Sequence, residues 1–343
     1  MPTAGENFYS LEPADQVLRL YGLAEAALGH WEGRFGRVTL VKYRENAVFS
    51  AWRDDGTQVA LRIHRPGYHC DAALHSELEW MQSLSREGIA VPPVVPCSDG
   101  RALVNVAADG VPEARQVDML LWLDGSPIGS AENGLELDEL EASVFFHDVG
   151  ALAARLHNHS SRWERPADFT RHAWDDEGLI GSNPFWGRYL DLPILSASQR
   201  LLLRDATTRA AGSLARFGKG SDRYGLIHAD FVPENLLKGD QGLMLIDFDD
   251  AGFGWHMFEV ATALFFNVDE PNYPAIVERL IAGYRTQRPL PDTQLALLPL
   301  FLFLRGTTYL GWMQTRSETQ TARELAPMLA ERTCRLASDF LLS

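Results

Sequence analysis

Residues 226–254, LIHADFVPENLLKGDQGLMLIDFDDAGFG, constrain this chain more than any other stretch, because they set His228, Asp230, Asn235 and Asp247 within one short span. Two β-prone runs, 226–228 and 243–248, flank a loop carrying Asp230 and Asn235, and a glycine-bearing turn lies between them at 238–242. A strand, loop and strand of this kind gather Asp230, Asn235 and Asp247 around one point. Three oxygen-bearing side chains suit a hard cation such as Mg²⁺, whose other ligands are phosphate oxygens and water. Asp and Asn also serve as ordinary turn formers, but four matched positions in one span point to phosphate chemistry.

The spacing His228-x-Asp230-x-x-x-x-Asn235, followed by Asp247-Phe248-Asp249, parallels the H-R-D-x-x-x-x-N loop and the later D-F-G of protein kinases. In that template the first Asp accepts the proton of the attacking hydroxyl, while the Asn and the later Asp hold the metal ions that neutralise phosphate charge. Asp230 is thus the candidate base, and Asn235 and Asp247 are the candidate metal ligands. His228 reads as a packed, hydrogen-bonded residue rather than an acid or base.

Upstream, Val17, Leu20, Tyr21 and Leu28 recur at helical spacing with Gly22 breaking the run, which predicts short helices over 12–28. Strands follow over 37–51 and 58–64, separated by Asp54-Asp55-Gly56. Arg44-Glu45-Asn46 stands where a protein kinase has its glycine-rich loop, and no G-x-G-x-x-G is present; backbone N–H groups still bind phosphate without that signature. Val59-Ala60-Leu61-Arg62 matches V-A-I-K with Arg62 in the place of Lys. Arg pairs bidentately with phosphate but is bulkier than Lys; a solvated strand arginine is the plain alternative, and Arg65 is a second candidate. Leu74, Leu78, Met81 and Leu84 mark a helix ending near Gly88. Glu77 on its neighbouring stripe is placed to orient Arg62, with Glu79 competing. Strands over 103–107 and 117–123 lead to a turn at Trp122-Leu123-Asp124-Gly125, read as a hinge. Leu120, Leu121, Trp122 and Leu123 are candidates to border an adenine there, although an apolar run is usually core.

Beyond the hinge, Phe145, Val149, Leu152 and Leu156 predict a long buried helix over 141–159. An aromatic, irregular insertion follows over 163–191, then a helix over 201–217. After Asp250 the chain enters an apolar helical pattern over 257–266, which leaves little room for a peptide-binding activation loop. A small acceptor bearing an ammonium group is therefore favoured, with Asp249, Asp250 and Glu259 as candidates to meet it. For Asp249 and Asp250 the plain alternative is that they only bond their own loop.

Composition narrows the setting. At 343 residues and 46% hydrophobic the chain is long enough for two lobes. The net charge of −15 disfavours a nucleic-acid partner, since phosphate-backbone affinity comes from clustered Lys and Arg. Cys70, Cys97 and Cys334 are scattered and odd in number, so no disulfide framework is expected and a reducing, cytoplasmic location follows. The start MPTAGENFYS lacks the basic and apolar regions of a signal peptide. Residues 295–304 are apolar but too short to span a bilayer, with Pro299 inside and Arg305 ending the run, so no membrane partner is expected.

Taken together, these motifs resemble the aminoglycoside phosphotransferase and choline kinase superfamily, most in look the branch of type II homoserine kinases and stress response kinase A. The parts that carry the resemblance are HADFVPEN, IDFDDAG, LRIHR, LLWLDG, the run Glu45 to Phe49 and the insertion around NPFWGRY. It implies an α+β, bilobal protein-kinase-like fold: a β-rich nucleotide-binding lobe over 1–121, a hinge over 122–126 and a mainly helical lobe over 127–343. It also implies ATP and Mg as cofactors, with Asp230 as base, Asn235 and Asp247 on metal, and Arg62, Glu77, Asn46, Leu121, Trp122 and Leu123 on the nucleotide. Glu259 stands where many relatives have an Asp supporting the catalytic loop. The implied activity is transfer of the γ-phosphate to a hydroxyl of an amino-acid-like, amino-alcohol or aminoglycoside-type molecule. The alternatives are a serine/threonine protein kinase of the stress response kinase type and a catalytically weak nucleotide-binding scaffold.

Overall fold

A computed structural model describes residues 8–130, 134–135, 137, 139–240 and 242–343. The first seven residues, on which the reading of the N-terminus partly rests, lie outside the described residues. The chain divides into two units, 1–125 with 165–170, and 126–164 with 171–343.

The first unit is β-rich. Its helix α1 (Pro13–Leu28) starts on a proline and buries Leu20, Leu23, Ala24 and Ala27. The expectation of short helices broken at Gly22 is corrected: the helix is continuous, because that buried stripe runs past the glycine and outweighs its cost of about 1 kcal/mol. Strands β1 (Thr39–Tyr43), β2 (Ala47–Trp52) and β3 (Gln58–Ile63) precede helix α2 (Asp71–Arg86), and β4 (Val104–Val106) and β5 (Arg115–Leu121) follow it. They form one antiparallel sheet in the order β1-β2-β3-β5-β4. Val59, Leu61 and Ile63 alternate into a core with Phe49, Val117 and Met119. The intervening positions face the other way, which puts Arg62 directly across from Asp118.

The second unit is mainly helical. Short strands β6 (Ser126–Pro127), β7 (Gly129–Ser130) and β8 (Gly134–Leu135) lead to helix α3 (Glu139–Arg162). Within the aromatic insertion lie β9 (Ala173–Trp174) and α4 (Asp176–Ile180), followed by α5 (Ala197–Phe217). Strands β10 (Tyr224–Ile227), β11 (Leu236–Gly239), β12 (Gly242–Leu245) and β13 (Gly252–Trp255) come next. Helices α6 (His256–Phe265), α7 (Tyr273–Gln287), α8 (Asp292–Leu295), α9 (Leu298–Thr315) and α10 (Gln320–Leu342) complete the chain. Helices α3 and α7 approach so closely that a Cβ on Gly283 would lie 1.8 Å from the His147 carbonyl oxygen, so only glycine fits there.

The apolar run before Arg305 forms part of a buried helix, as its composition leads one to expect. Pro299 sits in the first turn of α9, where its missing N–H costs nothing, and Arg305 lies inside the helix with no exposed surface. Among the described residues no helix is long and apolar enough to cross a membrane, and the three cysteines are free.

Candidate active site

In the second unit the chemistry-bearing stretch folds differently from the expected hairpin. The 226–228 run does not pair with the 243–248 run: β10 pairs with β13, and β12 pairs with β11, inside what was read as loop. Leu236 and Leu237 are buried, so this segment becomes a strand rather than a turn. Asp230 and Asn235 still come together, through a side-chain hydrogen bond. Leu236 pairs with Leu245, and the next N–H, of Ile246, donates to Asn235 O at 3.0 Å, which brings the backbone just before Asp247 to Asn235.

Asp230 is tethered by both oxygens. Asn235 Nδ2 donates to Oδ2 at 2.7 Å, and Arg305 Nη2 donates to Oδ1 at 2.7 Å. The Asp230 side chain keeps 24% of its surface exposed, whereas that of Arg305 has none. Two residues in this loop adopt left-handed backbone, Ala229 at φ 65° and Asp247 at φ 67°, a conformation that costs a non-glycine residue of order 1–3 kcal/mol and clusters at functional sites. His228 braces the strained turn. Its Nδ1 accepts the Asp230 N–H at 3.2 Å, so the proton resides on Nε2, which donates to Ile246 O at 3.0 Å.

Glu259 is corrected as a substrate contact. It is fully buried, and its two carboxylate oxygens accept the N–H groups of His228 at 2.7 Å and Ala229 at 2.8 Å. It therefore supports the catalytic loop instead of facing an acceptor. Burial pushes its carboxyl up to about 7, against the pull of those two N–H donors. Asp249 is buried and Asp250 half-buried. The Asp250 Oδ1 accepts Trp186 Nε1 at 3.2 Å, and its carbonyl accepts Trp174 Nε1 at 2.7 Å. Arg171 donates to the carbonyls of Phe248, Asp249 and Ala251. The aromatic insertion is thus what holds the loop after Asp247.

In the first unit Arg62 forms the expected pair with Glu77, Nη1 to Oε1 at 2.8 Å. It also makes a bidentate pair with Asp118, Nε to Oδ1 and Nη2 to Oδ2, both at 2.8 Å. His64 Nε2 lies 2.6 Å from the same carboxylate. Burial alone would raise the Asp118 carboxyl; Arg62 and His64 outweigh it and hold it at about 2. Three of the five N–H donors of Arg62 are thus spent on two buried carboxylates, and the plain alternative of a solvated strand arginine is corrected, since the side chain is 8% exposed. Asn46 holds the β1–β2 turn, its Oδ1 accepting the Arg65 N–H at 3.0 Å. The amides of Leu121 and Trp122 donate to Pro93 O and Gln58 O, so they are already used within the unit. Leu121, Trp122 and Leu123 keep half-buried side chains.

With these positions fixed, comparison with known proteins identifies the chain's family. The phosphotransferase enzyme family matches residues 40–295. This chain belongs to that family. The structure of the microcompartment-associated aminopropanol kinase is similar at a TM-score of 0.81 with 36% identity, covering 93% of this chain and 96% of that one. An amicoumacin kinase in complex with AMP-PNP, Ca²⁺ and Ami has a TM-score of 0.74 at 20% identity, covering 96% of this chain and 94% of its own. The amicoumacin kinase of Bacillus subtilis (strain 168) is 24% identical over 317 residues, 88% of this chain and 87% of its own length. The protein is an enzyme, a phosphotransferase of the kinase kind.

The donor set of this phosphotransferase fits a hard divalent cation. Asn235 spends its amide nitrogen on Asp230, which leaves the carbonyl oxygen as its ligand atom, and Asp247 is exposed. Among the described residues no group of three His, Cys, Asp or Glu forms a closed metal cage; Mg²⁺ relies on substrate phosphates and water for the rest of its shell. Two residues of the phosphotransferase escaped sequence reasoning, Asp118 and Arg305. Asp118 is a charge among the apolar residues of RQVDMLL, whose other charge, Arg115, opens the strand, and Arg305 is the one charge in LPLFLFLRGTTYLGWMQT. That isolation is the available signal, since a lone charge on a buried element requires a partner.

Proposed function

We propose that the protein is an ATP- and Mg²⁺-dependent kinase that transfers the γ-phosphoryl group to the hydroxyl of a small, amine-bearing alcohol. The observation that carries this reading is the tethered Asp230 beside Asn235 and Asp247, all within the second unit. A carboxylate offers about four acceptor positions, so the bonds from Arg305 and Asn235 leave capacity on the exposed side for an acceptor hydroxyl. Asp230 takes the hydroxyl proton, the acceptor oxygen bonds to the γ-phosphorus, and the bridging bond to the β-phosphate breaks to release ADP. Asn235 Oδ1 and the Asp247 carboxylate would hold the cation, which neutralises phosphate charge when bound.

The nucleotide-binding role falls to the first unit, with Asn46 Nδ2 and the two uncommitted N–H donors of Arg62 for phosphate, and the side chains of Leu121, Trp122 and Leu123 for the base. Asp250, half-buried and bonded to Trp186, is suited to an ammonium group, with Asp249 behind it. Nucleotide and divalent cation are both named for the amicoumacin kinase complex, and an amino alcohol for the aminopropanol kinase. The test is ATP consumption with Mg²⁺ against 1-amino-2-propanol, ethanolamine, homoserine, hydroxylysine, choline, an aminoglycoside and a generic protein. Turnover is expected with an amine-bearing alcohol. Phosphorylation of protein alone, with every small acceptor inert, would overturn the reading.

A further inference from the structure

We propose that Arg305 is a positioning residue for phosphoryl transfer, fixing the catalytic carboxylate and the strained turn that carries it; this rests on the reading of Asp230 as base. Arg305 lies within the apolar helix α9 and has no exposed surface. A buried guanidinium is costly unless its surroundings repay it, so its partners indicate what the helix keeps it for. Nη1 donates to the Ala229 carbonyl at 3.0 Å, and Nη2 donates to Asp230 Oδ1 and to the Tyr309 hydroxyl, both at 2.7 Å. Its carbon centre stands 4.3 Å from the Tyr309 ring centroid, 5.2 Å from Trp186 and 5.8 Å from Phe258. Aromatic faces on this scale replace part of the lost hydration.

Two features separate this arrangement from a structural ion pair. The first is that Ala229 is clamped at both ends: Glu259 takes its N–H and Arg305 its carbonyl, which holds the left-handed conformation against relaxation. The second is that the carboxylate partner is part-exposed and belongs to the reacting site. With Oδ1 held by Arg305 and Oδ2 by Asn235, rotation of the carboxylate is restrained, and it keeps spare acceptor capacity while 24% exposed. In a loose phosphoryl-transfer transition state, positioning counts for more than basicity, so a cation beside the base is compatible with its task. Trp186, stacked on Arg305, also donates to Asp250, so the same guanidinium underlies the wall offered to the acceptor.

The test is kinetic and crystallographic, on the full chain. Arg305→Met, with 1-amino-2-propanol as acceptor, is expected to lower kcat about 10- to 100-fold while KM for ATP stays within about threefold. Arg305→Lys should recover part of that loss, because it retains charge and one bond but not the fork across Ala229 and Asp230. Since Arg305 acts through Asp230, the Arg305→Met/Asp230→Asn double variant should be no slower than Asp230→Asn alone. The crystal structure of Arg305→Met should show Ala229 or the Asp230 carboxylate in a changed conformation. Unchanged kcat in folded Arg305→Met, fully additive losses, or an unmoved loop would each overturn the proposal. If the unaltered enzyme turns over none of the acceptors, or Asp230→Asn retains full activity, the functional reading fails instead, and the crystallographic arm still decides whether Arg305 fixes the loop.

Discussion

A buried arginine meets a carboxylate in each unit, Arg62 in the first and Arg305 in the second, and the two environments differ. Arg62, with 8% of its side chain exposed, faces two carboxylates with none exposed and a buried histidine beside them. That network is closed to solvent: all of these side chains are buried inside the first unit. Arg305 has a single carboxylate partner with 24% exposure, a backbone carbonyl and aromatic faces. That arrangement is open, because the acid it holds still meets solvent. A closed network specifies how strands and helix register, whereas an open one aims a group at something outside. The contrast ties Arg62 chiefly to stability and, under the proposed reading, Arg305 to the geometry of the reaction.

The largest expected effect tests the open side. Asp230→Asn should lower kcat by about 10²- to 10⁴-fold with a stability loss of only about 1–2 kcal/mol, because the amide oxygen still accepts from Arg305. Initial-rate assays beside urea denaturation separate the two, and a variant within tenfold of normal kcat breaks the contrast. Next comes the closed side. Asp118→Ala removes the acceptor of two Arg62 N–H donors while Glu77 still pairs with the guanidinium, and should cost about 1–3 kcal/mol for each donor left unsatisfied, read from the urea midpoint; a loss under about 1 kcal/mol in all would mean the network is dispensable.

The smallest effect concerns pH. Glu259 is raised from its ordinary value of 4.5 to about 7 in the folded chain. Between those values the folded chain holds a proton that the unfolded chain has released, so its contribution to stability is full below about 4.5 and is lost as pH rises through about 7. His256 runs the other way. Burial lowers it to about 3 from 6.5, so the unfolded chain binds the proton first and stability falls as pH drops below about 6.5. Asp118, held at about 2, contributes above 3.8 and is lost only as pH falls toward 2. Across pH 5–8 the Asp118 contribution is therefore flat, while that of Glu259 titrates. Glu259→Gln should remove a slope of about 1 kcal/mol per pH unit between pH 5 and 7, measured by urea denaturation at each pH. An unchanged slope would mean that Glu259 keeps its charge throughout.

The sequence alone determined the reaction class. Asp230, Asn235 and Asp247 lie close along the chain, and local spacing limits local geometry, so their convergence was legible even though the strand pairing around them was not. The β-rich first unit, the helical second unit and the Arg62–Glu77 pair were legible for the same reason, through periodicity and a short helix offset. Tertiary structure alone decided the partners of the buried charges. Asp118 meets Arg62 across 56 positions and Arg305 meets Asp230 across 75; no local pattern encodes such pairs. They arise when apolar elements pack and desolvate the charges they carry, because a lone buried charge must then find its partner wherever the fold supplies one.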